Sequence, residues 1–124
     1  MKIIEAIRGF DHLVHNTYSH EEKVAFLSRL DAMVKKQIID THEGGEDVNF
    51  TGYDSNTKDL TDLLVPEPYD EMYLRWLEAQ IAYYNGEYDK YNNAIILFNT
   101  VFENYAAYYS QNHMPVNRGR RFLF

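Results

Sequence analysis

The chain has 124 residues, 12 of them basic and 19 acidic, for a net charge of −7, and it contains no cysteine. That length fits one domain with one modest core. The missing thiols exclude disulfides and thiolate metal sites, and the acidic balance opposes nucleic-acid binding by phosphate neutralisation, which needs clustered Lys and Arg. No run approaches the ~20 apolar residues of a membrane span. Glu5 also stands where a signal peptide would be apolar, so the expectation is a soluble protein made and kept in a cytoplasm.

Ile3, Ile4, Ile7 and Phe10 have roughly helical spacing and predict a first helix over 2–12. His12 and His15 stand three apart beside Asp11, a spacing that suits two metal ligands on a helix, but no third ligand is evident nearby. Histidines at the surface near a helix end are the plainer reading. Ser19-His20-Glu21-Glu22 reads as a capping box that opens a second helix over 20–40. Val24, Leu27, Leu30, Val34 and Ile38 form its apolar stripe, widened by Phe26 and Met33, and Gly44-Gly45 marks the stop.

Residues 41–66 are polar, glycine-containing and without a period, so they predict a long irregular loop. Asp47, Asn49 and Thr51, followed by Gly52, match the opening of a calcium-binding loop. Lys58 stands where that loop needs a bidentate glutamate, and the alternative is a turn rich in Asx residues. Asn49-Phe50-Thr51 also fits a glycosylation sequon, which has no use in a protein that stays in a cytoplasm. Residues 59–64 suggest a helical turn with Leu60, Leu63 and Leu64 apolar.

Pro66-Glu67-Pro68 breaks the chain, and a helical hairpin follows. Its first arm, over 69–84, is apolar nearly all round, which marks a helix that is central or shared with a neighbour. Asn85-Gly86-Glu87 is the turn. The second arm, over 87–112, carries Tyr88, Tyr91, Ile95, Phe98, Phe102, Tyr105 and Tyr109 at 3-4-3-4-3-4 spacing, the seam of a helix that faces another helix or a second copy. Pro115 ends it. Residues 116–124 then turn basic and apolar. The plain reading is a solvated terminus. The sharper one is an arm that docks on a partner, with Arg118, Arg120 and Arg121 pairing with carboxylates and Phe122, Leu123 and Phe124 as anchors.

The fold class is therefore all-α, a small helical bundle on a long antiparallel hairpin, with one helical domain over 1–115 and an extended tail over 116–124. No phosphate loop, nucleophile elbow or zinc-protease helix is present. Glu78 lies in a mostly apolar helix, but Arg75 three residues earlier is a ready partner. No residue is assigned to catalysis, to a metal or to a cofactor.

Leu64-Val65-Pro66-Glu67-Pro68-Tyr69-Asp70-Glu71-Met72-Tyr73-Leu74 resembles the start of the helical hairpin in tailed-bacteriophage head–tail connector (adaptor) proteins. The likeness continues through Asn85-Gly86-Glu87-Tyr88, Tyr91-Asn92-Asn93-Ala94, Phe98-Asn99 and Tyr105-Ala106-Ala107-Tyr108-Tyr109 to His113-Met114-Pro115. These motifs are structural, not catalytic. The resemblance implies a virion protein, made in the host cytoplasm, that forms a ring below the portal at the capsid vertex. It would contact the portal and neighbouring connector or tail proteins while DNA passes an acidic wall without sequence-specific binding. It also implies that the tail arm grips portal or neighbour and that the 41–66 loop meets the next tail component.

A different class is a stand-alone interaction module. Trp76, Ala79, Ala82-Tyr83-Tyr84, Gly86-Glu87-Tyr88 and Ala94 resemble one tetratricopeptide repeat. The fit is out by a residue before Gly86, Tyr91 replaces a small residue, and a lone repeat cannot bury its own face. A small enzyme is a third class, for which the sequence shows none of the expected constellation.

Overall fold

A computed structural model describes residues 1–116 and folds them into four α-helices: α1 (Ile3–Leu13), α2 (His20–Val34), α3 (Glu71–Tyr84) and α4 (Tyr88–Asn112). Among the described residues, β pairing is limited to two isolated bridges, Lys2 with Asp62 and His42 with Pro115. The tail residues Arg118, Arg120, Arg121, Phe122, Leu123 and Phe124 lie outside the described residues.

Ile3, Ala6, Ile7 and Phe10 recur at helical spacing and are the buried positions of α1. The first turn of any helix leaves amides without intrahelical partners. Here the long loop supplies them: Ile3 N–H donates to Thr61 O at 3.0 Å and Ile4 N–H to Asp59 O at 3.0 Å. This corrects the helical turn expected over 59–64. Backbone groups there bond across to the chain's first residues, Leu63 N–H to Met1 O at 2.9 Å included, so they are not available for a helical ladder. Leu60 consequently points into solvent, while Leu63 and Val65 join the core.

The capping box of α2 forms in both directions, Glu22 N–H to Ser19 Oγ at 3.1 Å and Ser19 N–H to Glu22 Oε1 at 2.9 Å. The helix does not stop at Val34 but widens into a π turn, Lys35–Ile39, closed by Asp40 N–H to Lys35 O at 2.8 Å. Lys35 pairs with Asp40 and donates to Gly45 O at 3.0 Å, which folds the chain back over its own helix end. Gly45 is there for space: a Cβ would stand 2.6 Å from Ile39 O. Gly44 is there for conformation, at φ 85° with open space around it. Gly45→Ala is expected to cost about 1–3 kcal/mol by overpacking against backbone. Gly44→Ala should cost about 1–2 kcal/mol by left-handed strain alone. Urea titrations of the two variants check the ordering.

α3 is the central element. Met72, Tyr73, Trp76, Leu77, Ala79, Ile81 and Ala82 are buried around most of its circumference, between α1 and α2 on one side and α4 on the other. Gly86, at φ 77°, ends it in a turn where Glu87 N–H reaches back to Ala82 O at 2.9 Å and Gly86 N–H to Tyr83 O at 3.1 Å. α4 then returns antiparallel. Ring contacts pair Tyr83 with Tyr91 at 5.4 Å, Trp76 with Phe98 at 5.0 Å and Tyr69 with Tyr105 at 5.5 Å, one position falling as the other rises. A helix rises ~1.5 Å per residue, so α4 is about 37 Å long and α3 about 21 Å. The overhang of α4 packs against the π turn and the start of the long loop.

Candidate functional site

The most unusual polar position is Asp31, on the inward face of α2 and 0% exposed. Tyr73 O–H donates to Oδ1 at 2.6 Å, and Tyr53 O–H and Leu64 N–H donate to Oδ2 at 2.5 and 3.1 Å. Tyr73 Oη accepts from Val65 N–H at 2.8 Å, so its one proton is committed to the carboxylate. Burial pushes the Asp31 carboxyl above the ordinary range, and the three hydrogen bonds only partly offset that. Burial, with the nearby Asp31 charge, pushes both phenols up as well. Asp31 thus pins three points of the long loop region (Tyr53, Leu64 and, through Tyr73, Val65) to α2 and α3. Its role is architectural: both oxygens are occupied by the protein itself.

A second buried polar group holds the end of α4. His42 Nδ1 lies 2.6 Å from Ile38 O, which can only accept, so Nδ1 carries a proton. His42 Nε2 meets Ser110 Oγ at 2.9 Å, and the ring packs edge-on to Tyr109 at 5.2 Å. Beside it Glu43 N–H donates to Met114 O at 2.7 Å and Val116 N–H to Thr41 O at 2.8 Å. The chain is therefore fastened as far as residue 116, the first position assigned to the tail.

Among the described residues, Lys23 is the buried Lys or Arg, its Nζ 2.7 Å from Asp11 Oδ1. Burial pushes Asp11 up, but hydrogen bonds from Asn16 and Lys23 and the Lys23 charge outweigh it and hold the carboxyl below the usual range. Near this pair two adjoining clefts, about 230 and 310 Å³, share Phe10, Val14 and Glu78 and follow the junction of α1 with α3. Arg75 on the rim reaches Glu78 at 3.4 Å and Glu71 at 3.5 Å. Glu78 is thus ion-paired at the edge of the first cleft, while His15, Asn85, Glu87 and Lys90 also line the second. Phe10, Val14, Leu74 and Ile81 give the clefts apolar walls.

The aromatic seam of α4 divides. Phe98, Tyr105 and Tyr109 are buried, and Tyr91, Ile95 and Phe102 are half-buried against α3. Tyr88 is 61% exposed and only edges Tyr83 at 6.0 Å. Apart from Tyr88, the seam residues therefore pack within the chain itself, with burial and the neighbouring Tyr109 raising the Tyr105 phenol to about 12. His12 and His15 are exposed and apart from any third donor, and no group of three or more His, Asp or Glu able to hold a metal occurs among the described residues. Asp47 sits in a short 3₁₀ turn, Gly45–Asp47, and Asn49 and Thr51 are exposed beyond it. Glu78 is half-buried and paired with Arg75.

Sequence reading missed Asp31, Lys23 and His42. For Asp31 a signal existed: Val24, Leu27, Asp31, Val34 and Ile38 run 3-4-3-4, which puts a carboxylate on the helix seam itself. Compared with protein-family models, with curated proteins and with solved structures, the chain matches none.

Proposed function

We propose that this chain is a structural subunit of a tailed bacteriophage, a head–tail connector that assembles at the portal vertex and joins the portal to the tail. The observation that carries the reading is the run from Leu64 to Pro115, whose resemblance to connector hairpins spans the opening of α3, the Asn85-Gly86-Glu87 turn and the inward seam of α4. The net charge of −7 suits a wall past which DNA slides without sticking. The polar side chains with perturbed pKa values that are buried are spent on architecture, which favours a scaffold over an enzyme. The basic and apolar residues 117–124 are assigned to the arm that grips the portal or a neighbour.

Binding of the full chain to its cognate portal rings, followed by sedimentation, tests this. The expected result is saturable co-sedimentation that is lost when residues 117–124 are deleted. The deletion starts at 117 because Val116 is hydrogen-bonded to Thr41. Circular dichroism of the truncated chain should match that of the full chain. Failure of the full chain to bind portal overturns the reading. A strict monomer that instead captures short peptides in the α1–α3 cleft favours the stand-alone interaction module.

A further inference from the structure

We propose that the outward face of α4 is the contact for a second copy of this chain, made helix against helix along Asn93, Leu97, Thr100, Asn104, Ala107 and Gln111. All six are exposed, and their spacing is 4-3-4-3-4. That is a second helix-packing seam, on the side of α4 turned away from the seam that packs on α3. Among the described residues, α4 packs on α3 and the π turn and leaves this face open. Leu97 on the seam and Ile96 beside it, 47% and 62% exposed, make the first half of this face apolar.

Charge selects the occupant. From Tyr91 to Asn112 the chain contains one carboxylate, Glu103, and no Lys, Arg or His. In a protein of net charge −7, two copies repel across most approaches, and this face brings them together with little like charge. A strongly basic partner finds a single carboxylate, Glu103, on this stretch, and an acidic partner finds no cation. Asn, Gln and Thr each carry a donor and an acceptor, so the same side chains on a second copy satisfy them. Asparagine on such a seam also sets register between identical helices.

Size sets the strength. Eighteen residue rises give a seam of about 27 Å, one helix wide. That is a few hundred Å² per copy, against the ~800 Å² per partner of a standard stable interface. The contact is therefore weak in dilute solution and gains when copies are held side by side. It does not rest on the connector reading.

Thr100 is exposed, its hydroxyl turned to Ile96 O at 3.1 Å, and it lies within a turn of the middle of the seam. Whichever way two helices run, it meets or neighbours its own copy. Molar mass is measured by sedimentation equilibrium from about 10 µM to about 1 mM on the full chain, on Thr100→Lys, on Thr100→Glu and on their equimolar mixture, a range that brackets weak pairing. The expected result is a mass that climbs toward two chains for the natural protein, weakens at least about tenfold in each variant, and recovers in the mixture, with unchanged circular dichroism throughout. A natural protein that keeps the mass of one chain at the highest concentration overturns the proposal. So do variants that associate as the natural protein does, or a mixture that fails to recover. A ring-sized mass indifferent to position 100 overturns this contact and leaves the connector reading standing. Thr100-dependent pairing without any binding to portal does the reverse.

Discussion

Asp31→Ala is expected to lower the unfolding free energy by about 3–5 kcal/mol, since each buried donor left unsatisfied costs about 1–3 kcal/mol. The substitution strands the Tyr53 and Tyr73 hydroxyls and the Leu64 amide, all of which point at one carboxylate. For a chain of this size the midpoint of thermal unfolding should fall by about 10–20 °C. Asp31→Asn keeps the shape but turns an amide N–H₂ toward hydroxyl donors, so about 1–3 kcal/mol should be lost. The pH dependence separates charge from shape. Burial raises the Asp31 carboxyl above its unfolded value of 3.8, so the folded chain takes this proton at a higher pH than the unfolded chain does. That contribution to stability is complete below the unfolded value and is lost as pH rises through the folded one. The stability gap between the natural protein and Asp31→Asn should therefore narrow on going from about pH 4 toward neutrality. A gap that widens over that range would show that the hydrogen bonds outweigh burial at this site. Urea titrations followed by circular dichroism at several pH values read both effects.

Trp76→Ala should cost a comparable ~3–5 kcal/mol, the usual range for truncating a buried aromatic side chain. Trp76 lies at the centre of α3. Its indole N–H donates to Phe26 O of α2 at 2.8 Å, and its ring packs on Phe98 of α4 at 5.0 Å. One side chain thus spans the three longest helices, and its loss opens a void that backbone collapse cannot fill cheaply. Trp76→Phe keeps most of the apolar area and drops the hydrogen bond, so a loss of about 1–2 kcal/mol is expected. Because Phe26 O sits inside a helix, the indole is a supplementary donor to it. A Phe variant as unstable as the Ala variant would mean that this hydrogen bond outweighs the packing. The same denaturant series, read by far-ultraviolet circular dichroism, compares the two.

Much of the fold was legible because it is local. The Ser19 box, the glycine at Asn85-Gly86 and the 3.6-residue recurrence of Ile3, Ile7 and Phe10 each act within one or two turns of chain. The boundaries moved by two residues or fewer at most helix ends, as fraying and end turns allow. The seam from Tyr91 to Tyr109 could be placed on one face, but period alone did not say whether that face meets α3 or another molecule. Its last contact, Tyr109 beside His42, depends on where the long loop begins. Tyr88 fits the spacing and still falls outside the core, because α3 ends before it.

By itself, then, the sequence determined the helices, their caps, the hairpin turn and the apolar faces, since each depends on neighbours a few residues apart. Tertiary structure alone decided which polar groups go inside and what they hold. The donors to Asp31 come from 22, 33 and 42 residues away, and the partner of His42 at Ser110 from 68. A carboxylate can be buried only where such donors converge on it, and convergence over those separations is a property of packed helices, not of any stretch of chain.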